Sequence, residues 1–197
     1  GGHTASLAEL SAVDNEAAAS ATLAEATQRQ ATQELTLSEA GKQWLRDVEQ
    51  LRLRPYDDQT GQDITSWVGG ATIGYGHLIS RDDWHLYQDG MTEEQADQRF
   101  EKDIVPYLEV VNSEVSAQLT QSQFDAAVIF SYNIGTNAFR NSSAVKLIND
   151  PEAKTLYSSV EEAWKAFNRS QGVVNQGLVN RRAAEWDMYS KGEYRRW

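Results

Sequence analysis

Three side chains in one short stretch, Val48 to His77, have the types and spacing for acid-catalysed cleavage of a glycoside. Glu49 stands at the end of an apolar-patterned segment. Asp58 follows a basic, proline-broken connection, and Thr72 opens a glycine-punctuated Thr-Ile-Gly-Tyr-Gly-His run. Two carboxylates in unlike surroundings let one donate a proton while the other orders a water, and a hydroxyl can help hold that water. Glu49 lies directly after Val48, beside the stripe Trp44, Leu45, Val48 and Leu51. A position of that kind can desolvate a carboxyl and raise its pKa, as a general acid requires. A solvated surface Glu is the alternative. Arg52 and Arg54 bring positive charge close to both carboxylates in sequence.

The elements that must position these groups follow from local patterns. Ser38 can cap the helix that carries Glu49, and Pro55 ends any continuation of it. Between Tyr56 and His77 the signals are those of turns and short strands, one expected at Ile64 to Val68 and one at Ala71 to Tyr75, with Gly74 and Gly76 relieving crowding. No GxGxxG or GK[ST] pattern opens a helix there, which excludes a phosphate loop. Past Leu78 the chain is a series of capped helices. Thr92 to Gln95 and Thr120 to Gln123 are both capping boxes. Pro106 kinks or divides the helix that follows the first box. The second box opens the most apolar helix, Phe124 to Ile134, expected to be the buried centre. Asn133 near its end is either bonded inside or faces a cleft, and Gly135 stops it. Helices around Ala144 to Ile148 and Val160 to Phe167 come next, and a last one, Leu178 to Tyr189, carries Arg181, Arg182 and Glu185.

Composition narrows the class. The 197 residues contain no Cys, and the formal net charge is −11. Disulfides, thiol nucleophiles and thiolate metal sites are excluded. His3, His77 and His85 are too scattered for a zinc site, so neither metal nor cofactor is expected. No basic face suggests nucleic acid as a partner, and no apolar run approaches the roughly 18 residues of a membrane span. Residues 1–36 read as an Ala-rich helical extension or linker, and residues 37–197 as the catalytic domain. The start, Gly1-Gly2-His3, reads as a tag remnant on a piece of a longer protein. From Thr4 to about Leu35 the apolar stripe is thin, so a long helix packed on a partner and a frayed linker both stay open.

Three blocks in order carry a family resemblance. They are Glu49 with Tyr56-Asp57-Asp58 and Thr72-Ile73-Gly74-Tyr75-Gly76-His77; Gln123-Phe124-Asp125-Ala126 through Asn133-Ile134-Gly135; and Gly177 to Glu185. Together they make residues 37–192 similar to the phage-type, T4-like lysozymes of glycoside hydrolase family 24. The resemblance implies an α+β, mainly helical, two-lobed fold with a small β lobe from about Val48 to Gly90. It implies a muramidase that cleaves the β-1,4 bond between N-acetylmuramic acid and N-acetylglucosamine in bacterial peptidoglycan, mostly with inversion. Glu49 would be the general acid, Asp58 would activate the water, and Thr72 would help hold it. Asp57 is the rival to Asp58, and the family's spacing from the aromatic Tyr56 selects Asp58. Asn133 would line the sugar cleft, Arg181 would lie near Glu49, and His77 would be a structural hydrogen-bonding partner. An insert from Gln59 to Ala71 departs from the family pattern, and its Trp67 either touches sugar or packs on the small lobe.

A lytic transglycosylase, or a non-catalytic wall-binding or tail module, are the competing readings. The first needs no Asp-held water, and the second has no use for all three residues. The implied setting is a phage virion or the host cytoplasm, with action on periplasmic peptidoglycan and residues 4–36 available to other virion or tail proteins. A chain of this charge gains nothing from long-range attraction to an acidic wall polymer.

Overall fold

The computed structural model describes residues 27–197, so most of the Ala-rich extension lies outside the described residues. A 3-10 turn, Thr32–Glu34, precedes helix α1, Glu39–Glu49. An antiparallel sheet follows, of β1 (Arg52–Asp57), β2 (Ala71–Gly74) and β3 (His77–Leu78), in the order β1-β2-β3. A short helix α2, Trp84–Tyr87, leads into α3 (Glu93–Asp103) and α4 (Val105–Glu114). Then come α5 (Gln121–Ile134), α6 (Thr136–Arg140), α7 (Ser143–Asn149) and α8 (Val160–Lys165). A two-stranded hairpin, β4 (Arg169–Ser170) with β5 (Val173–Val174), precedes the last helix, α9 (Gln176–Lys191). Among the described residues no helix is long and apolar enough to cross a membrane.

Helix α5 is the axis of the helical lobe. Phe124 and Ala126 through Phe130 are wholly buried, as an all-round apolar helix must be. Thr120 and Gln123 form the expected capping box at its start, and Gly135 ends it at a φ of 94°. Phe130 stacks on Trp164 of α8 with ring centroids 4.3 Å apart, and α9 packs along α5. Thr92 and Gln95 close the other capping box, and Pro106 stands in the first turn of α4. There its missing amide costs nothing, so one periodic segment becomes two helices.

The small lobe corrects one expectation. Residues 64–68 form no strand; the sheet's outer strand is instead β1, with Pro55 inside it. An edge strand tolerates this proline because only one side of it must donate to a neighbour. The insert adds an isolated bridge, Tyr56 with Asp63, and Ile64 N donates to Pro55 O at 3.1 Å. Ala71, Ile73 and Ile79 make a separate small core beneath the sheet.

The helical body takes in part of the 1–36 segment. Gln30 pairs with Leu119 in an isolated bridge, Thr32 is buried with its hydroxyl bonded to Val115 O at 3.1 Å, and Leu35 joins the main core. Ser38 caps α1 as expected. It is itself held by Asp125 of α5, a buried carboxylate that accepts from Ser38 N at 3.0 Å, from the Ser38 hydroxyl, from Gln121 Nε2 at 2.9 Å and from Tyr194 Oη at 2.6 Å. Burial pushes the Asp125 carboxyl up, and these donors pull it part of the way back. Asp125→Ala would leave several buried donors without their acceptor, so a stability loss of about 3 kcal/mol is expected, read as a lower midpoint in urea at unchanged slope.

Candidate active site

Helix α1 stops at Glu49 because Gln50 takes a positive φ of 58°, which turns the chain into β1. The Glu49 side chain is 21% exposed. Arg181 of α9 donates from Nη1 to Glu49 Oε1 at 3.2 Å. Tyr132 of α5 lies close by, its hydroxyl donating to Tyr75 O at 2.9 Å. Burial raises the Glu49 carboxyl above its ordinary 4.5, while the Arg181 charge and hydrogen bond pull it back in part. A proton on Glu49 is thereby favoured relative to a carboxylate in water. The positive charge at Glu49 comes from Arg181, 132 positions away, and not from the neighbouring basic connection. Arg52 turns to Asp63 at 2.9 Å and to the Tyr56 ring, and Arg54 is exposed near Gly90.

Gly76 supplies the floor for this carboxyl. It sits in the β2–β3 turn at a φ of 83°, and a Cβ there would stand 2.9 Å from Glu49 Oε2. Glu49 Oε2 is the far end of a flexible side chain, so the fold can yield by displacing it. Gly76→Ala is therefore expected to cost about 1–2 kcal/mol for the left-handed backbone and, on the expectation that Glu49 is the acid, to lower activity by at least about tenfold, because a small misplacement of a catalytic group is expensive. Thermal melts and turnover on the same preparation separate the two effects.

Asp58 and Thr72 come from the sheet. Thr72 pairs with Tyr56 across β1 and β2. Since Ala71 and Ile73 face the small core, strand alternation sends Thr72 and Tyr56 to the opposite face. Thr72 is 4% exposed, and its hydroxyl donates to Gly70 O at 2.8 Å, which leaves its lone pairs free to accept from a water. Asp58 is exposed; its amide also donates to Gly70 O, at 3.0 Å, and Gln59 Nε2 donates to its Oδ1 at 3.0 Å. Burial raises the Tyr56 phenol, Arg52 lowers it, and the charges of both Glu49 and Asp58 raise it further. Tyr56 thus lies within electrostatic reach of both carboxylates. Asp57 belongs to the turn instead, with Oδ1 accepting from Gln59 N at 2.9 Å.

The remaining expected residues divide. Arg181 meets Glu49. Asn133 is exposed at the end of α5, and its carbonyl accepts from Arg182 Nη2. His77 Nδ1 lies 2.9 Å from Asp103 Oδ2, and Arg99 Nε donates to the other oxygen of that carboxylate at 3.0 Å. The Trp67 indole donates to Ile79 O at 2.9 Å under the Arg81 guanidinium, and its ring lies against the small core. Tyr132, Gly76 and the wholly buried Glu185 carry no expected site role from the sequence alone. For Glu185 a signal exists in the spacing, since Arg181 and Arg182 stand one helical turn before it.

The Phage lysozyme family matches residues 46–185. The chain is 35% identical over 158 residues to an endolysin of Bacillus phage PZA, covering 80% of this chain and 56% of that one. It is 33% identical over 159 residues to an endolysin of Bacillus phage B103, covering 81% and 56%. It therefore spans little more than half the length of these curated relatives. Among solved structures, the endolysin of Escherichia coli phage FAHEc1 aligns at a TM-score of 0.64 and 30% identity, over 82% of this chain and 98% of that one. The muramidase domain of SpmX from Asticaccaulis excentricus aligns at 0.62 and 29%, over 79% and 98%. The matched region takes in Glu49, Asp58, Thr72, Tyr132 and Arg181, and by that match this chain belongs to the phage lysozyme family.

Proposed function

We propose that this chain is a peptidoglycan hydrolase, a muramidase cleaving the β-1,4 bond between N-acetylmuramic acid and N-acetylglucosamine. The observation that carries the reading is the largely buried Glu49 carboxyl, raised above its ordinary pKa by burial and hydrogen-bonded by Arg181. Glu49 gives its proton to the glycosidic oxygen as that bond breaks and positive charge develops on the sugar ring. Arg181 then stabilises the carboxylate left behind. On the other face of the ring, a water held by Asp58 and the Thr72 hydroxyl attacks the anomeric carbon and passes a proton to Asp58. Attack from that side inverts the anomeric centre. Asn133 is the sugar-contacting candidate in this reading, with its carbonyl engaged by Arg182 and its amide hydrogens left to meet substrate.

The phage relatives support wall degradation in a bacterial host, and action from a virion or from the host cytoplasm belongs to the same proposal. Contacts to other virion proteins through residues 4–36 are part of the same proposal. The test is digestion of purified peptidoglycan followed by mass analysis of the products. Muropeptides with reducing muramic acid ends support hydrolysis. Anhydro ends would make the chain a transglycosylase, and undigested wall a binding module.

A further inference from the structure

Glu185 makes no contact with Glu49, yet it is the residue that the Arg181 guanidinium shares with it. Its side chain is 0% exposed, on the inner face of α9. Arg181 Nε donates to Glu185 Oε2 at 2.9 Å, and Arg182 Nη1 and Trp164 Nε1 (the latter at 3.0 Å) donate to Oε1. Arg182 continues outward, donating from Nε to Phe167 O at 2.9 Å and from Nη2 to Asn133. Arg181 is further fixed by a donation from Nη2 to Ile129 O at 3.3 Å. Two guanidinium groups and two carboxyl groups thus form one chain, Asn133–Arg182–Glu185–Arg181–Glu49. It runs through the helical lobe to the group assigned as the acid.

We propose that Glu185 is a positioning residue for the reaction: it holds the Arg181 guanidinium from the side away from Glu49 and limits how much of that positive charge the Glu49 carboxyl receives. The inference rests on the reading of Glu49 as the acid. An Arg181 without a second carboxylate would serve Glu49 alone. A close, exclusive cation favours the ionised carboxylate, which is the wrong form for a proton donor. With Glu185 present, Arg181 is divided between two partners, and burial remains the dominant influence on Glu49. The rest of the surroundings leave Arg181 as the controlling charge. Tyr132 faces Glu49 from α5, Tyr56 with Asp58 from the β1 side, and Tyr107 from α4 with Asp103 behind it. None of these is a cation. Burial by itself lowers the Arg181 pKa, but the Glu185 and Glu49 charges outweigh that and raise it, so the guanidinium stays charged.

The experiment follows Glu49 itself and the reaction separately, in the full chain. Carbon-13 carboxyl NMR of glutamate-labelled protein, with the Glu49 signal assigned by its absence in Glu49→Gln, gives the Glu49 titration midpoint. Hydrolysis of purified peptidoglycan as a function of pH gives the alkaline limb of activity. Glu185→Gln should lower the Glu49 midpoint by about one pH, move the alkaline limb with it, and cost about tenfold in rate above that limb, while rates at acid pH change much less. Glu185→Asp keeps the charge and should keep the limb near its parental position. Should Glu185→Gln fail to fold because it leaves Arg182 buried beside a neutral amide, Arg182→Gln with Glu185→Gln removes one charge of each sign. That double variant should show an acidward shift of smaller size, because losing the Arg182 charge opposes part of it. A Glu49 midpoint unmoved in a folded variant, or a loss of rate equal at every pH, would overturn the proposal and leave Glu185 a packing residue. A midpoint that moves while the activity limb stays would uphold the hold on Arg181 and sink the assignment of Glu49 as the acid.

Discussion

Glu49→Gln is expected to fold as the parent does and to lose about 10²–10⁴-fold or more in activity on peptidoglycan, the range general acid catalysis supplies. The amide retains the shape and an oxygen for Arg181 Nη1, so the 3.2 Å contact can survive. What it lacks is the proton. Arg181 is not orphaned by the change, because Glu185 still accepts from its Nε. A buried cation left without any carboxylate would destabilise the chain, and that outcome is avoided here. Stability should instead hold or rise, with a definite pH dependence. The folded-state pKa of Glu49 lies above its ordinary 4.5, so the native state binds more protons than the unfolded chain in the interval between the two values. The contribution of Glu49 is then fully favourable below about 4.5 and is lost as pH rises through the folded value. Gln removes that loss, so the difference in unfolding free energy between variant and parent should grow from acid toward neutral pH. Denaturant titrations at several pH values measure it. Parental activity in Glu49→Gln would assign the acid to another residue.

Much of this architecture is written in local chemistry. The capping boxes at Thr92 and Thr120, the Ser38 cap, the division at Pro106 and the stop at Gly135 each depend on a few consecutive residues, and each is present. The strand misread at residues 64–68 has an equally physical cause. Pro55 signals a break when read alone, and only the pairing of Tyr56 with Thr72 reveals β1 as an edge strand where proline is harmless. The parts of the site that stayed hidden are those made by distant segments. Nothing near Glu49 in the sequence announces Tyr132 or Gly76 as its walls, and Arg52 and Arg54 are decoys by proximity. The expected junction at residue 36 rests on composition alone, and composition does not reveal that Gln30 bridges to Leu119 or that the Thr32 hydroxyl is buried against Val115. Ser38 shows both levels in one residue. Its cap of α1 is legible locally, but its grip on Asp125, 87 positions on, is not.

The second large effect is expected at Asp58, and it separates hydrolysis from transglycosylation. Asp58→Asn keeps the size of the side chain and an oxygen for Gln59 Nε2, now 3.0 Å from Oδ1. It cannot accept a proton from water, so the rate should fall by about 10²–10³-fold. Glycan binding should stay near the parental value, because placement of the water matters in the transition state and not in the ground state. The neighbouring carboxylate supplies the control. Asp57 accepts from Gln59 N through Oδ1, and its backbone closes the turn with Thr60 and Gly61. An Asn can make the same bonds, so Asp57→Asn should change the rate by less than about threefold, as expected for a substitution that preserves the turn chemistry. The Thr72 hydroxyl enters the same argument through Gly70 O, which accepts from both Thr72 Oγ1 and Asp58 N. Thr72→Val should therefore lower activity in the same direction as Asp58→Asn, and the two losses should be less than additive, since both act on one water. Product ends complete the test. Reducing ends from the parent, together with a deficient Asp58→Asn, fit a water-dependent hydrolase. A fully active Asp58→Asn whose products carry anhydro ends would mean that the sugar's own hydroxyl attacks. In that case Glu49 would keep its role as acid, and the water assigned to Asp58 and Thr72 would have no part in the reaction.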